Sequence, residues 1–392
     1  MAKVGIMSMQ RIVNYGSFLQ AYGLKTMLEN LGHEVQFVDY HVGKPLIDVE
    51  KKINAGVLGK LYKVLEVLNY SAPLRQRIQF ILFKIRFASK YNKFLGITEQ
   101  ANYTSKLDML IIGSDEVFNC VQQNLSVGYS LELFGKNNQA SRLITYAASF
   151  GNTTLFKLRQ YKKTEEIGSL LNKFYAISVR DENSAILVER LSEKKVEYHL
   201  DPVLVYDFMG ECGYIPEINP KERYLILYAY SNRISQNEAE WISNYAKKKK
   251  LRIYAIGGVQ NCADKFIDCS PFTVLSYFLH AEEVITDTFH GTIFSIITKK
   301  QFVSIVRKSI NNLYGNEEKL IDLLKRLDLS TRITYSIEKI PEIQEIIIDY
   351  GTVDAIIASE REKTQRYLEQ MCNIGKNVDS TNIIQVENKK RY

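Results

Sequence analysis

The segment ITDTFHGT, residues 285–292, places a histidine between two apolar stretches. The residues before it, AEEVI, are typical of a short buried strand, and those after it, TIFSIITKKQFVSI, of a helix followed by another strand. We therefore expect His290 on a strand-to-helix turn, where Gly291 permits a tight bend. Such turns line the ligand crevice of an open α/β sheet, and free N–H groups at a helix start bind anions. An imidazole there binds an anion and passes a proton, which indicates a negatively charged substrate.

Two more polar side chains follow apolar stretches in the same way. Asp115 lies just past the strand pattern of LDMLIIGSDEVFN, and Arg180 follows the strand pattern of FYAISVRDENS. Because parallel strands end at the same edge of a sheet, we expect both side chains in one cleft with His290. A simpler interpretation stays open for each. Ser and Asp favour turns for local backbone reasons, and Arg180 is able to form a structural ion pair with Asp181 or Glu182.

Strand and helix patterns alternate from the first residues. The strand KVGIMSM leads to the helix SFLQAYGLKTMLENLG, in which Ser17 and Gln20 have the spacing of a capping box and Gly32 is placed to end the helix. The strand HEVQFVDY follows, and later apolar strands end in the polar turns of IIGSDEVFN, YAASFG, ISVRDENS and LDPVLVY. This alternation predicts a parallel, doubly wound α/β sheet.

Two glycines and two prolines interrupt the pattern in DFMGECGYIPEINPKE, residues 207–222, and the alternation restarts with RYLILYAYS. We predict an N-terminal Rossmann-like domain at 1–206, a linker at 207–222 and a second Rossmann-like domain at 223–345. A closing helix at 346–372 and a flexible tail at 373–392 complete the prediction. Two Rossmann-like domains that face each other across a cleft form the arrangement of GT-B glycosyltransferases.

The bulk composition indicates a cytoplasmic enzyme. The chain has 392 residues, of which 46% are hydrophobic, enough to bury a large core. It starts with a strand pattern and not a signal pattern, and no stretch reaches the ~18 consecutive apolar residues of a membrane span. The cysteines lack a CxxC pair or a histidine at zinc spacing, so we expect free thiols and no metal or cofactor. They are Cys120, Cys212, Cys262, Cys269 and Cys372.

A basic segment at about residues 55–95 accounts for the whole net charge of +7. Its charges alternate with Leu, Ile, Phe and Tyr at helical spacing, and Pro73 divides it into two amphipathic helices. We interpret the segment as a helical insertion packed on the first domain, or as a surface for a membrane or a lipid-linked acceptor. No nucleic-acid-binding motif accompanies it, so we expect no nucleic-acid partner. The basic residues are Lys60, Lys63, Arg75, Arg77, Lys84, Arg86, Lys90 and Lys93, against Glu66 alone.

Six stretches in this order resemble the polysaccharide pyruvyl transferase family: NYGSFLQAY, IIGSDEVFN, YAASFG, ISVRDENS, LDPVLVY and ITDTFHGT. The resemblance runs from about Lys3 to Ile305. It implies a GT-B-like fold and the transfer of a pyruvyl group from phosphoenolpyruvate to sugar hydroxyls, commonly as a ketal that makes a surface glycan acidic. Many members carry an arginine two residues before the motif histidine, where this chain has Thr288.

This reaction requires cations for a carboxylate and a phosphate, and groups that move protons. The resemblance implies that Arg180 binds the donor carboxylate and that His290 acts as general acid or contacts the phosphate. Asp115 is the candidate base toward an acceptor hydroxyl, or it positions the sugar. Further candidate binding residues are Asn14, Tyr15, Ser17, Glu116, Asn119, Ser149, Phe150, Asp287, Thr288, Gly291 and Thr292.

Two other functions are consistent with the sequence. The helix start after His290 is able to hold the diphosphate of a nucleotide sugar, as in a GT-B glycosyltransferase, and Thr288 in place of arginine keeps this interpretation open. A non-catalytic partner in glycan assembly, docked on membranes through residues 55–95, is the third interpretation.

Overall fold

The computed structural model describes residues 1–47, 64–308 and 317–373, which form two six-stranded sheets. The first sheet has the order β2-β1-β3-β4-β5-β6, and the second has the order β12-β11-β10-β7-β8-β9. All pairings between these strands are parallel, which confirms the predicted fold class of two Rossmann-like domains. The strands are β1 Lys3–Met7, β2 Glu34–Phe37, β3 Met109–Asp115, β4 Arg142–Ala148, β5 Ile177–Val179, β6 Val196–Tyr198, β7 Tyr224–Tyr228, β8 Arg252–Ile256, β9 Lys265–Phe266, β10 Glu283–Thr286, β11 Phe302–Ile305 and β12 Ile333–Thr334.

Helices cover both faces of the first sheet. All seven residues of β3 are buried, and alternate residues belong to different hydrophobic clusters, Met109 and Ile111 to one and Leu110 and Ile112 to another. The strand is therefore apolar on both faces, as parallel sheets require. The helices are α1 Tyr15–Asn30, α2 Leu74–Leu95, α3 Leu155–Gln160, α4 Thr164–Leu171, α5 Glu182–Leu191, α6 Pro202–Val205, α7 Phe208–Glu211, α8 Gln236–Lys249, α9 Pro271–His280, α10 Phe289–Ile297, α11 Glu317–Arg326, α12 Ile340–Glu345 and α13 Tyr350–Cys372.

The first helix begins earlier than the capping-box spacing predicted. Asn14 is the N-cap of α1, because its side chain accepts hydrogen bonds from the backbone N–H groups of Gly16 and Ser17. Ser17 lies inside the helix, and its hydroxyl donates to Asp115. The predicted capping role of Ser17 is therefore wrong, whereas Gly32, with a φ of 83°, follows the end of α1 as expected.

Two helices connect the halves of the molecule. In α2, Phe83 packs on Tyr15 of α1 and on Phe266 of β9, with ring centroids 5.2 and 6.1 Å away. In α13, which follows the second sheet along the chain, the Tyr367 hydroxyl donates to the carbonyl of Thr145 in the first sheet at 2.8 Å. The two sheets therefore share a hydrophobic core. This core holds the two sheets in one position relative to each other.

The helical break predicted at Pro73 is present, because residues 64–68 are helical and α2 begins directly after Pro73. Residues 55–63 of the predicted insertion and 374–392 of the predicted tail lie outside the described residues. The domain limits at 206 and 222 stay predictions, although α7 lies within the stretch predicted as a linker. In the part of the chain described, no helix has the length and apolar character needed to cross a bilayer.

Candidate functional site

A cleft of about 460 Å³ opens where the two sheets face each other. The first half of the chain lines it with Asn14 before α1, Asp115 at the end of β3 and Arg180 after β5. The second half contributes Asp287 after β10 and His290 in the first turn of α10. Because each residue follows the carboxyl end of a strand, the cleft has the position of a ligand site in an open α/β sheet. The structure thus brings the three predicted catalytic residues together.

Arg180 joins two buried carboxylates on the first side of the cleft. Its Nη1 donates to Asp201 Oδ2 at 2.8 Å, and its Nη2 donates to Asp115 Oδ1 at 3.2 Å. Ser17 Oγ donates to the other oxygen of Asp115 at 2.8 Å. Both Nη atoms of Arg180 are thus engaged by protein carboxylates and not by Asp181, which caps α5 instead. Arg180 nevertheless lines the cleft, and its Nε has no hydrogen-bond partner among the described residues, so its binding of the donor carboxylate stays a prediction.

The network keeps Asp115 ionised and fixes its backbone. Burial alone would raise the pKa of Asp115, but Arg180, His290 and the hydrogen bonds from Ser17 and the Glu116 N–H outweigh burial and hold the pKa below its ordinary value. Asp115 has a φ of 82°, in the left-handed region that non-glycine residues seldom adopt. The Asp115 carboxylate is therefore held in place by Ser17 and Arg180.

His290 lies in the first turn of α10 and packs against the start of α1. A Cβ atom at Gly16 would be 2.0 Å from Cγ of the imidazole, so only glycine leaves room for the ring. Gly291 was predicted to permit a bend, and this is wrong because it lies within α10, as Gly16 lies within α1. At Gly291 a Cβ atom would be 2.2 Å from Thr286 Oγ1, so this glycine too is required by close packing.

The imidazole of His290 faces the carboxylate network. Its Nε2 lies 3.8 Å from Asp201 Oδ2 and has no hydrogen-bond partner among the described residues. Burial lowers the pKa of His290, Asp201 and Asp115 oppose this effect, and the net pKa is below the ordinary value for histidine. The lowered pKa favours the neutral imidazole in the absence of a ligand. A bound anion would raise its pKa and favour the protonated form.

The threonines at the start of α10 have structural partners. Thr288 is the N-cap, and its hydroxyl oxygen accepts the Gly291 N–H at 2.9 Å. The Thr292 hydroxyl donates to the Thr288 carbonyl and is 2.7 Å from Ser304 Oγ. Thr292 is fully buried and lies behind the cleft, which Thr288 does line. The prediction that both hydroxyls bind the anion is not supported by these contacts, since capping and core packing occupy them.

Asp287 faces a second group of charges. Burial raises the pKa of this carboxyl to about 6, while Arg233 and Arg307 act in the opposite direction. Arg307 Nε lies 3.9 Å from Asp287, and Arg307 Nη1 donates to Glu238 at 2.6 Å. Asp287 thus lines the cleft as predicted, and its protonation changes near neutral pH.

The structure adds cations that the sequence analysis did not select as site residues. Lys84 of α2, Arg233 after β7 and Lys319 of α11 all line the cleft. Lys319 Nζ is 3.0 Å from Glu116 Oε1, and the Arg233 guanidinium stacks 4.6 Å from the centre of the Tyr230 ring. Lys84 carried one signal, its place in the basic segment. The other two lacked a signal, because neither follows a recognisable motif.

The predicted wall residues divide into two groups. Asn14, Ser17, Glu116 and Asn119 line the cleft, and Asn14 Nδ2 donates to the hydroxyl of Tyr230 across it. The other group lies behind the surface of this cleft. Tyr15 donates to the carbonyl of Cys269, Ser149 Oγ accepts the N–H of Gly151, and Phe150 stacks in the core with Phe118.

Asp201 belongs to the stretch LDPVLVY, which was predicted as a polar turn. The turn accounts for only one of its two carboxylate oxygens. Its Oδ1 accepts the Val203 N–H and caps α6, while its Oδ2 binds Arg180 and faces His290. The signal that pointed to it was the stretch LDPVLVY, which follows a predicted strand as Asp115 and Arg180 do. One carboxylate serves both purposes because its two oxygens face different neighbours.

The geometry defines a class of protein. Two parallel α/β domains that share a cleft at their strand ends, with a histidine on one side and paired carboxylates on the other, describe a protein of GT-B-like fold with a polar cleft. Within the described ranges, no group of three or more His, Cys, Asp or Glu side chains is arranged to hold a metal ion.

A family model described as polysaccharide pyruvyl transferase matches residues 14–309, and the chain belongs to this family. A search of curated proteins gave no match. Among solved structures, the glycotransferase of kitacinnamycin is 10% identical, with a TM-score of 0.46 and coverage of 94% of this chain and 99% of that one. An MnaA–UDP complex from S. aureus is 11% identical, with a TM-score of 0.46 and coverage of 95% and 90%. These likenesses are at the level of the fold.

Proposed function

We propose that the cleft transfers a pyruvyl group from phosphoenolpyruvate to two hydroxyls of a sugar in a cell-surface polysaccharide precursor, with a ketal and phosphate as products. Membership of the pyruvyl transferase family supports the general reaction. The observation that carries the proposal is the buried His290, whose Nε2 faces Asp201 at 3.8 Å in a cleft lined with cations from both halves. No protein-bound metal or cofactor is required for this chemistry.

The donor brings a carboxylate and a phosphate, which must be matched by cations when water leaves the cleft. Lys84, Arg233 and Lys319 are the candidates beside Arg180, because all of them line the cleft. The first N–H groups of α10 carry a partial positive charge, which also favours an anion in the cleft. This set provides for phosphate binding without an arginine at position 288.

The two protons that the acceptor hydroxyls release are both taken up in the proposed reaction. Two acceptor hydroxyls lose one proton each as their oxygens bond to C2 of the donor, and the bond from C2 to the phosphate oxygen breaks. One proton goes to the donor methylene, which becomes the methyl group, and the other leaves with the phosphate. We propose that His290 donates the proton to the methylene carbon, because its pKa rises when the anion binds. Asp115, kept ionised by Arg180, takes the proton of an acceptor hydroxyl.

We propose that the acceptor is linked to a lipid and that the reaction takes place on the cytoplasmic side of the membrane. Lys84 supports this, because it lines the cleft and belongs to the basic helix α2. A lipid-linked sugar would then reach the cleft from the side on which α2 lies.

The test uses thermal unfolding of the wild type and of His290→Gln with phosphoenolpyruvate and with nucleotide sugars, since a ligand that binds the folded state raises the Tm. We expect phosphoenolpyruvate to stabilise the wild type and the variant less. Turnover with an acceptor should fall about 10²–10⁴-fold in the variant, the usual contribution of a general acid. Full activity of His290→Gln would disprove the assignment. Selective stabilisation by a nucleotide sugar would favour the glycosyltransferase function.

A further inference from the structure

Helix α2 is apolar on two opposite faces. Phe80, Phe83 and Phe87 occupy one face and are buried against both halves of the molecule, where Phe80 lies 5.4 Å from Phe266. This packing accounts for the aromatic residues of the helix. It does not account for the aliphatic residues on the opposite face of α2.

The second face consists of Leu74, Ile78, Leu82 and Ile85, which we name the aliphatic stripe. Their intervals of four, four and three residues place them on one side of the helix. Their exposed fractions are 56%, 46%, 43% and 65%. Single exposed apolar residues are common, but a contiguous row on one helix marks a surface that binds an apolar partner.

Charge identifies the partner. The 22 residues of α2 include six basic residues and no acidic one. Arg75, Lys90 and Lys93 are exposed. At 100° per residue, Arg75 and Lys93 lie beside the stripe, whereas Lys90 and Lys84 lie further round the helix on opposite sides of it. Arg86 is partly neutralised by Asp268 at 3.2 Å. A basic helix with an aliphatic face fits an anionic lipid surface, to which nearby cations add electrostatic attraction.

We propose that the aliphatic stripe and its flanking cations dock the protein on an anionic lipid bilayer, with the mouth of the catalytic cleft beside the lipid headgroups. The aliphatic side chains enter the acyl boundary, and Arg75, Lys90 and Lys93 contact the headgroups. Lys84 connects the two features, because it is part of α2 and also lines the cleft. Delivery of a lipid-linked acceptor rests on the proposed function, whereas the binding of lipid does not.

The test is cosedimentation of the full chain with vesicles of phosphatidylcholine alone or of equimolar phosphatidylcholine and phosphatidylglycerol. We expect the wild type to sediment with the anionic vesicles and much less with the neutral ones. The triple variant Ile78→Gln, Leu82→Gln, Ile85→Gln should bind at least about tenfold more weakly, since it loses most of the aliphatic insertion. A matched control changes three apolar residues elsewhere that are more exposed than these, Phe156→Gln, Ile186→Gln and Ile347→Gln, and should bind as the wild type does.

A second variant, Arg75→Gln, Lys90→Gln, Lys93→Gln, keeps the aliphatic stripe and should lose the preference for anionic vesicles. Absence of wild-type sedimentation, or equal loss in the stripe variant and its matched control, would overturn the proposal. A wild-type dimer that the stripe variant converts to monomer, with vesicle binding unchanged, would assign the stripe to a second copy of the chain. Stabilisation by phosphoenolpyruvate, measured on the same variants, tests the proposed function separately and should be unchanged.

Discussion

The two sides of the cleft differ in how completely their polar groups are paired. On the first side, Arg180 satisfies Asp115 and Asp201 through hydrogen bonds of 3.2 and 2.8 Å. On the second side, the Nε2 atom of His290 has no hydrogen-bond partner in the described part of the chain, whereas Asp287, whose pKa burial raises to about 6, lies 3.9 Å from Arg307. We infer that the first side is organised before substrate binds, whereas the second side gains hydrogen-bond partners from the ligand.

The largest expected effect comes from breaking the paired side. Arg180→Met leaves two buried carboxylates without their cation, and we expect the free energy of unfolding to fall by about 3–5 kcal/mol. Denaturant unfolding at pH 7 measures this. Arg223→Met removes an exposed ion pair with Glu282 and serves as the control, with little change expected. Equal stability of the two variants would show that the Arg180 network is not structural.

The next effect concerns the position of the imidazole. In Gly16→Ala, the added Cβ atom overlaps the His290 ring, which must move. A displacement of about 1 Å is expected to lower kcat about 10²-fold with a smaller change in KM. Gly213→Ala is the matched control, because a Cβ atom at that position meets no atom within 4 Å. A fully active, normally folded Gly16→Ala would show that the observed ring position is not the catalytic one.

A smaller effect is expected for a cation on the second side. Arg233→Met should weaken phosphoenolpyruvate binding about tenfold, as the loss of one charge-assisted hydrogen bond predicts, and should change the Tm without ligand only slightly. Calorimetric titration measures the affinity. The exposed Arg252→Met should bind the donor normally, since Arg252 pairs with Asp264 outside the cleft. Unchanged affinity in Arg233→Met would assign the donor to other cations.

The smallest effect is the pH dependence of donor binding. Burial lowers the pKa of His290 in the free protein, and a bound anion raises it, so binding takes up a proton. The affinity should therefore increase a few-fold as the pH falls from about 8 to about 7, a range above the second pKa of about 6 typical of a phosphate group. The change should be absent in His290→Gln. Equal pH dependence in both proteins would place the proton elsewhere.

The sequence predicted the fold class and the position of most cleft residues because strand ends are readable locally. An apolar run followed by a polar turn identified Asp115, Arg180 and His290, and parallel sheets bring such ends to one edge. Lys319 could not be found in this way. It reaches the cleft from a helix far along the chain, and its partner Glu116 lies 203 residues earlier.

The amino-acid pattern alone predicted two parallel α/β domains, the strand-end placement of the histidine and the carboxylate, and an amphipathic basic helix. These follow from periodicity and turn chemistry, which act over a few residues. Three features became visible only in the folded protein. Arg180 binds Asp115 and Asp201, and Gly16 makes room for His290. Helix α2 buries its aromatic face and exposes its aliphatic face. Those outcomes depend on which distant surfaces meet, because burial and charge pairing are set by neighbours in space and not in sequence.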